Sequence, residues 1–137
     1  MMNIPQYSGA IIYNPKTREV LLQQRTLDAK LAPGKWSFFG GGGEAGETPV
    51  QTMCRELHEE LAIDIHESDI TPLRSYLNEK LQTMRHVFLI ETELPKSAMT
   101  LHEGAGFDWV PLSKVFEYDI TDKVREDLQY FVGSKTP

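Results

Sequence analysis

The feature of this chain that most constrains its fold is a glycine run followed directly by a segment rich in glutamate. Residues 38 to 63 have the sequence FFGGGGEAGETPVQTMCRELHEELAI. Glycine loses more conformational freedom on folding than any other residue, so ordering several in a row is costly. Glutamates that share a helix face repel one another. Because these two unfavourable features are adjacent in the sequence, we expect the glycine loop and the acidic segment to act together.

The glutamate-rich segment is predicted to be a helix over residues 48 to 61. Thr48 is a good N-cap residue, Pro49 suits the first helical position, and Gln51 completes a capping box. Apolar residues recur at helical spacing and form a stripe that should be buried: Val50, Met53, Cys54, Leu57 and Leu61. One face of this helix should therefore pack against the rest of the protein.

A second face of the same helix is acidic. At about 100° per residue, Glu56, Glu59 and Glu60 fall within an arc of roughly 100°. A solvated acidic face is the usual interpretation of such a pattern. However, only Arg55 and His58 lie among the acids, whereas a solvated helix normally alternates signs. Carboxylates gathered without basic partners suit hard divalent cations such as Mg²⁺, which prefer oxygen ligands.

Two well-known motifs are approached here but not completed. The letters HEELA begin like the zinc-binding helix HExxH, but Ala62 occupies the position of the second histidine. Residues 41 to 48 fit the phosphate-binding pattern G-x-x-x-x-G-K-[ST], except that Glu47 replaces the lysine. That replacement reverses the local charge. A bare phosphate would be repelled by Glu47, but a metal–phosphate complex could approach it.

The first part of the chain predicts strands and a long loop. Residues 7 to 25 favour two strands joined by a turn at Asn14 and Pro15. Residues 26 to 47 predict a loop with one short strand at residues 36 to 39. A loop of that length in a compact domain is usually functional.

The second part of the chain predicts more strands and a closing helix. The strands are expected at residues 71 to 80, 82 to 94 and 107 to 112. Residues 87 to 90 are apolar throughout, which favours a central strand. The helix should begin after Thr121, bury Val124, Leu128 and Phe131, and end at Gly133. This order of elements predicts an α/β or α+β sandwich that forms one domain over residues 1 to 137.

Composition narrows the class of partner. The chain has 137 residues, a net charge of -6 and a pI of about 5.2. Nucleic-acid polymers and anionic membranes favour a basic surface, so neither is expected as the main partner. Cys54 is the single cysteine, which excludes an intramolecular disulfide and predicts a small buried side chain. With no signal-peptide pattern and no apolar run near the ~20 residues of a membrane span, we expect a cytoplasmic protein.

The spacing across the loop and helix resembles the Nudix box, G-x5-E-x7-R-E-U-x-E-E-x-G-U, in which U is a bulky aliphatic residue. The matching positions are Gly41, Glu47, Arg55, Glu56, Leu57, Glu59, Glu60 and Ile63. The preceding letters KWSFFGG are similar to the family's W-x-F-P-G-G, and the chain length is that of a compact MutT-like member.

Two positions depart from the family pattern. Ala62 stands where the family has glycine, and Phe39 stands where it has proline. Alanine in a left-handed conformation costs on the order of 1 kcal/mol, so we expect the helix end at Ala62 to be slightly reshaped. Phe39 is expected to leave the loop less stiff than proline would.

The resemblance implies both a fold and a reaction. The fold is a mixed β-sheet between helices, with the box as a loop-helix-loop catalytic motif. The reaction is hydrolysis of a nucleoside diphosphate linked to a group X, in which a metal-activated water attacks a phosphorus of the phosphoanhydride. The expected cofactor is Mg²⁺, with Mn²⁺ as an alternative.

The resemblance also implies roles for the residues of the box. Glu59 and Glu60 match the core metal ligands. Glu56 matches a further ligand or the base that orients water. A backbone carbonyl near Gly41 is another metal contact.

Further residues in and beyond the box complete the expected site. Arg55 and Glu47 would pair and brace the loop against the helix. Outside the box, Glu103 resembles an extra metal-binding or basic glutamate of some MutT-like enzymes, with a plain loop acid as the alternative.

Substrate contacts are predicted before the box. Arg25 ends the second strand, where relatives often bind a substrate phosphate, and a surface salt bridge is the alternative. Lys35 lies in the long loop and could serve similarly. The aromatic rings of Trp36 and Phe38 are suited to stacking on a base, although sequence alone does not distinguish them from core residues.

The leading hypothesis is an active pyrophosphohydrolase with a small nucleotide-type substrate. By default the substrate is a (deoxy)nucleoside triphosphate, oxidised forms included, cut to the monophosphate and pyrophosphate. Dinucleoside polyphosphates and nucleotide sugars are alternative substrates. A non-catalytic nucleotide-sensing module and a simple cation-binding protein are alternative classes, and the chain is expected to be a monomer or a homodimer.

Overall fold

Seven strands and two α-helices make up the part of the chain that the computed structural model describes, residues 4–102 and 104–135. In chain order they are β1 Gln6–Asn14, β2 Glu19–Gln24, β3 Trp36–Ser37, β4 Phe39–Gly42, α1 Pro49–Leu61, β5 Thr71–Asn78, β6 Thr83–Glu91, β7 Gly106–Pro111 and α2 Asp122–Lys135. Short 3₁₀ turns lie in the connections at Glu67–Asp69, Lys96–Ala98 and Val115–Glu117.

The strands form one mixed sheet with β1 inside it. β1 runs antiparallel to β2 and β4 along one edge and parallel to β6 along the other. β5 pairs antiparallel with β6, whereas β3 and β7 both pair with β2. β6 has a neighbouring strand on each side, and its apolar residues pack on both faces of the sheet, as the sequence predicts for a central strand.

Apolar side chains alternate along β1 and build a core on each face of the sheet. Ala10 and Ile12 belong to one core, and Ile11 and Tyr13 belong to the other. The first core includes Met53, Leu57 and Leu61 of α1, and the second includes Val124, Leu128 and Phe131 of α2. The sheet therefore lies between the two helices, which confirms the predicted sandwich.

The start of α1 follows from its local sequence. The Thr48 side chain accepts a hydrogen bond from the Gln51 N–H at 3.2 Å, and the Gln51 side chain accepts one from the Thr48 N–H at 3.0 Å. This confirms the predicted capping box. In α2, Thr121 has the expected role, since its hydroxyl accepts from the Val124 N–H at 3.3 Å.

Two smaller predictions about the helices are wrong. Gly133 does not end α2, which continues to Lys135; a glycine inside a helix costs about 1 kcal/mol, and the packing of α2 offsets that cost. Cys54 is half-buried rather than buried, and its thiol lies 3.3 Å from the carbonyl oxygen of Ile65.

No helix among the described residues is long and apolar enough to cross a membrane.

Of the two departures from the family pattern, Ala62 behaves differently from expectation. Ala62 keeps the left-handed conformation, with φ 55° and ψ 36°, and its N–H donates to the His58 carbonyl at 3.0 Å. The helix end is therefore not reshaped, and alanine bears the strain. Phe39 is fully buried, pairs with Ala10 across β4 and β1, and meets Phe107 edge-on. This packing anchors the start of the glycine loop, and the lower stiffness expected relative to proline stays a prediction.

Candidate active site

Arg55 lies at the centre of a group of carboxylates where the glycine loop meets α1. Its Nε is 2.7 Å from Oε2 of Glu47, and its Nη1 is 3.0 Å from Oε1 of Glu56. Nη1 also lies 3.3 Å from Glu59 and 3.7 Å from Glu44. We call these five residues the Arg55 cluster. One arginine facing four glutamates leaves this cluster with excess negative charge.

The pair formed by Arg55 and Glu47 fastens the loop to the helix. Nη2 of Arg55 donates to the carbonyl oxygen of Gly42 at 2.9 Å, and the Thr52 hydroxyl donates to Glu47 at 2.8 Å. Hydrogen bonds from Arg55, and then from the Glu44 N–H, lower the pKa of Glu47 to about 2. The expected pairing is therefore present, and Glu47 is ionised at neutral pH.

The carboxylate of Glu56 lies directly against the backbone of Gly41. A Cβ atom at position 41 would overlap with this carboxyl group, so any other residue there would displace the Glu56 carboxylate from its place beside the loop. The Glu56 side chain is 14% exposed. Burial raises the pKa of Glu56; Arg55 opposes the rise and Glu59 adds to it. Glu56 is thus a carboxyl group that holds a proton more tightly than an exposed glutamate does.

Glu60 is enclosed between the glycine loop and the sheet. It is 9% exposed. One carboxylate oxygen accepts the Gly40 N–H at 3.0 Å, and the other accepts from Nε2 of Gln23 at 3.2 Å. Gln23 also donates to the carbonyl oxygen of Phe38 at 3.1 Å. These donors fix the orientation of Glu60, and sequence reasoning did not identify Gln23.

Glu59 is the most exposed of the three glutamates, with 54% of its side chain accessible. Its backbone carbonyl accepts from Nδ1 of His102 at 2.7 Å, and the carbonyl of Glu60 accepts the His102 N–H at 3.0 Å. The segment that precedes residue 103 therefore packs on the last turns of α1. Glu103 itself, the predicted further metal ligand or base, lies outside the described residues.

The chemistry of the glutamates fits a divalent cation. Among residues 4–102 and 104–135, no three acidic, histidine or cysteine side chains are already grouped as metal ligands. Arg55 engages Glu56 and Glu59 instead. The offered donors are nonetheless carboxylate oxygens from one helix beside a glycine loop, the ligand type that Mg²⁺ prefers. Binding would require Glu56 and Glu59 to exchange Arg55 for the metal.

An open cleft of about 1020 Å³ connects these glutamates to basic side chains. Glu56 and Glu60 line it beside the glycine loop. Its basic lining residues are Arg25, Lys35, Lys80, Arg85 and Lys123. The acids Asp122 and Glu126 line it as well. A ligand that carries several negative charges would therefore meet both cations and carboxylates in this cleft.

Comparison with known proteins identifies the family. The NUDIX domain family model matches residues 5–131. The chain belongs to the Nudix family. It is accordingly a hydrolase of phosphoanhydride bonds, from a family whose members generally need a divalent metal ion and bind small nucleotide substrates.

Relatives of this Nudix hydrolase agree with the observed fold. The nucleoside triphosphatase NudI of Escherichia coli O139:H28 is 25% identical over 119 residues, which cover 80% of this chain and 84% of the relative. The NUDIX domain of Shewanella oneidensis NrtR, solved with ADP ribose, is 17% identical with a TM-score of 0.80. The match covers 99% of this chain and 91% of the NrtR chain. A MutT structure from work on Aliivibrio salmonicida and Vibrio cholerae is 23% identical with a TM-score of 0.72. That match covers 90% of this chain and 95% of the MutT chain. These two solved structures have the same fold as this chain.

The predicted phosphate contacts of the Nudix hydrolase both line the cleft. With the described residues, Arg25 does not form the surface salt bridge considered as its alternative; its Nε donates to the carbonyl oxygen of Leu31 at 2.7 Å. Lys35 does form an ion pair, 2.8 Å from Asp119. Both cations are placed where a phosphate in the cleft could reach them, and their contact with substrate remains a prediction.

The two aromatic residues predicted to stack on a base, Phe38 and Trp36, are placed less favourably for substrate contact than the two cations. Phe38 borders the cleft but is 2% exposed, and its ring packs in the core beneath α2. The prediction that this ring stacks on a base is therefore wrong. Trp36 is half-buried and meets Tyr118 edge-on at a centroid distance of 5.5 Å; its role remains a prediction.

A buried ion cluster in the Nudix fold was not predicted. Asp127 is fully buried and accepts hydrogen bonds from Arg74 at 2.9 Å, Arg85 at 2.8 Å and the Tyr76 hydroxyl at 2.7 Å. We call these four residues the Asp127 cluster. The one available signal is that Asp127 falls three residues after Val124, inside the apolar stripe of α2. An acid in that stripe indicates a buried partner.

Proposed function

We propose that this Nudix hydrolase cleaves a (deoxy)nucleoside triphosphate, oxidised forms included, to the monophosphate and pyrophosphate. The observation that carries the proposal is that Glu56 and Glu60 line the same cleft as Arg25 and Lys35. Carboxylates and cations are thereby offered to one ligand. The name of the NudI relatives, nucleoside triphosphatase, supports the substrate class.

The proposed metal ligands are Glu56, Glu59 and Glu60, with the backbone of Gly41 and the side chain of Glu103 as further candidates. Mg²⁺ is the proposed ion and Mn²⁺ the alternative. When bound, the ion supplies positive charge that offsets the phosphates and lowers the pKa of a water ligand. The oxygen-only donor set supports this choice of ion.

The chain's own residues then have distinct tasks. Glu56, whose pKa is raised by burial, is the proposed base that accepts a proton from the attacking water, and Glu103 is the alternative base. Arg55 and Glu47 are positioning residues, because their pair holds the glycine loop against α1. Gln23 and the Gly40 N–H orient Glu60 in the same way.

Substrate binding is assigned to the basic side of the cleft. Arg25 and Lys35 are the proposed phosphate contacts, and Lys35 would exchange Asp119 for the phosphate. Trp36, which follows Lys35 but is not among the described residues that line the cleft, is the remaining aromatic candidate for a base contact. Dinucleoside polyphosphates and nucleotide sugars are alternative substrates that the same cleft would admit.

The proposal also covers the domain organisation, oligomeric state and cellular location of the enzyme. We infer a single domain over residues 1 to 137, active as a monomer or homodimer. A cytoplasmic location is also inferred, and the single cysteine of the chain is consistent with it.

The test is a panel of nucleoside triphosphates, oxidised nucleotides and the two alternative substrate classes, incubated with Mg²⁺ and analysed for monophosphate and pyrophosphate. The wild type is expected to turn over at least one triphosphate, and Glu59→Gln to abolish that activity. Glu44→Gln is the matched control, since it removes an equal charge from the Arg55 cluster at a position where the Nudix box accepts any residue. Wild-type turnover by Glu59→Gln would contradict the assignment.

Binding without product formation has a separate meaning. If the wild type binds a nucleotide but forms no product above the Glu59→Gln background, the chain is a nucleotide-sensing Nudix module and the hydrolytic proposal fails.

A further inference from the structure

Arg85 is the member of the Asp127 cluster that lines the cleft. Its side chain is 10% exposed, and its guanidinium carbon lies 4.8 Å from the ring centroid of Tyr7. Arg74, by contrast, packs against the rings of Tyr76 and Tyr130 and is not among the described residues that line the cleft. The two arginines thus share one carboxylate but have different surroundings.

The Asp127 cluster carries more positive charge than its carboxylate neutralises. Asp127 accepts from both Arg74 and Arg85. Tyr76 adds no negative charge at neutral pH, because burial and its hydrogen bond to Asp127 raise the pKa of Tyr76 to about 12. Excess charge in a buried setting is costly unless a counter-charge or acceptor is supplied. A ligand with electron-rich atoms in the cleft would supply it.

Some hydrogen-bond donors of Arg85 are left for such a ligand. Asp127 accepts from Nε of Arg85, and a guanidinium carries five N–H donors. Tyr7 also forms a side-chain hydrogen bond with Arg85. The part of the guanidinium that is accessible faces the cleft, since Arg85 is 10% exposed and lines it. Donors on neighbouring nitrogens match a pair of acceptors.

The strand register places Arg85 at a useful distance from the glycine loop. Gly42, Tyr7 and Arg85 are paired in one row across β4, β1 and β6. Neighbouring strands lie about 4.8 Å apart, so Gly42 and Arg85 are separated by roughly 10 Å across the sheet. A nucleotide whose phosphates lie at the glycine loop would extend far enough to meet Arg85.

We propose that Arg85 contacts the substrate, donating hydrogen bonds to a pair of acceptors on the nucleotide, and that Asp127 holds it in position. This inference rests on the proposed function, which supplies the nucleotide. The acceptors belong either to a base edge, such as O6 and N7 of guanine, or to a phosphate group. In the first case Arg85 also determines specificity.

The test compares equilibrium binding of GTP, ATP and inorganic triphosphate to wild type, Arg85→Met and Arg74→Met. Arg74→Met is the matched control, because it removes the same charge from Asp127 outside the cleft. Arg85→Met is expected to weaken binding by about tenfold or more beyond any effect of Arg74→Met, as for other hydrogen bonds to charged groups. A larger loss for GTP than for inorganic triphosphate assigns the contact to the base, and equal losses for all three assign it to phosphate. Equal affinities of the two variants for every ligand would overturn the inference.

Two additions keep the test decisive. Arg85→Lys retains a cation beside Asp127 but lacks the forked donors, so it should fold even if Arg85→Met does not, and it should still bind more weakly; unchanged affinity for all three ligands counts against the inference. Turnover is measured separately from binding. Arg85-dependent binding without turnover contradicts the proposed function alone, whereas turnover with Arg85-independent binding contradicts this inference alone.

Discussion

The Arg55 cluster and the Asp127 cluster are built from the same kinds of side chain in opposite proportions. In the first, one arginine faces four glutamates, of which Glu44 and Glu59 are exposed and the other two are partly buried. In the second, one fully buried aspartate is shared by two arginines. The first therefore has carboxylates to spare and suits a cation. The second has guanidinium donors to spare and suits an acceptor on a ligand. Both contribute residues to one cleft.

The two clusters should also differ in what they contribute to stability. The pairs of Arg55 with the exposed Glu44 and Glu59 should be worth about 0–1 kcal/mol each, because water and side-chain entropy offset the attraction. Removing one partner of a buried pair costs about 3–5 kcal/mol, because an uncompensated charge remains. The acidic cluster is thus suited to reorganising around a ligand, whereas the buried one is suited to holding a side chain still.

The largest expected effect is therefore at Asp127. Asp127→Ala should lower the free energy of unfolding by about 3–5 kcal/mol, because it leaves Arg85 and Arg74 without their carboxylate. Urea unfolding measures the change. Glu126→Ala is the control on the same helix, since its pair with Lys123 is exposed and should contribute about 1 kcal/mol or less. Similar effects of the two substitutions would break the comparison.

The next effect concerns the acidic cluster and its proposed metal. Mg²⁺ at about 100 times its Kd should stabilise the wild type by about 2.7 kcal/mol, because it binds the folded state and relieves repulsion among the glutamates. Thermal melting with and without the ion measures this as a rise in Tm. Glu59→Gln should lose most of the rise and Glu44→Gln should keep it. A wild type whose Tm ignores Mg²⁺ would refute this part of the account.

A smaller effect, at the end of α1, involves neither cluster. Ala62→Gly should raise the free energy of unfolding by about 1 kcal/mol, because glycine adopts the left-handed conformation without strain. Ala98→Gly, at a position without positive φ, should be destabilising instead. Chemical denaturation of both variants measures the change in the free energy of unfolding. A gain at position 98, or a loss at position 62, would show that backbone strain at Ala62 has been misassigned.

The smallest expected effect is a pH dependence at Glu47. Its pKa in the folded protein is about 2, below the ordinary value of 4.5, chiefly because Arg55 donates to it. The contribution of Glu47 to stability is therefore complete above pH 4.5 and is lost as the pH falls from 4.5 towards 2. Glu47→Gln should flatten the stability profile in that window. An unchanged acid limb would mean that the pair with Arg55 does not persist in solution.

How far the sequence predicts each cluster depends on how local its contacts are. The cap at Thr48 and the acidic face of α1 arise from residues within a few positions of one another, so periodicity and spacing reveal them. The pair of Arg55 with Glu47 spans eight residues, and the family pattern fixes both positions. The contact of Arg85 with Asp127 spans 42 residues, and it exists only because β6 lies parallel to β1 beneath α2. No local pattern specifies that pairing.

Tertiary packing also overrules local preference at single positions. Gly133 resembles a helix end, yet α2 continues past it. Phe38 resembles an aromatic ligand contact, yet its ring is needed in the core. Ala62 favours a reshaped helix end, yet the left-handed conformation is kept. In each case the surroundings decide a conformation that the residue alone would not choose.

The central claim is a division of labour, with the glutamates of α1 serving the chemical step and Arg85 serving binding. It is tested most directly by measuring kcat and KM separately, on the triphosphate that the wild type hydrolyses best, for Glu59→Gln and Arg85→Met. The account predicts that Glu59→Gln abolishes kcat, whereas Arg85→Met raises KM with a smaller change in kcat. Wild-type kcat in Glu59→Gln, or a loss of kcat at unchanged KM in Arg85→Met, would contradict it.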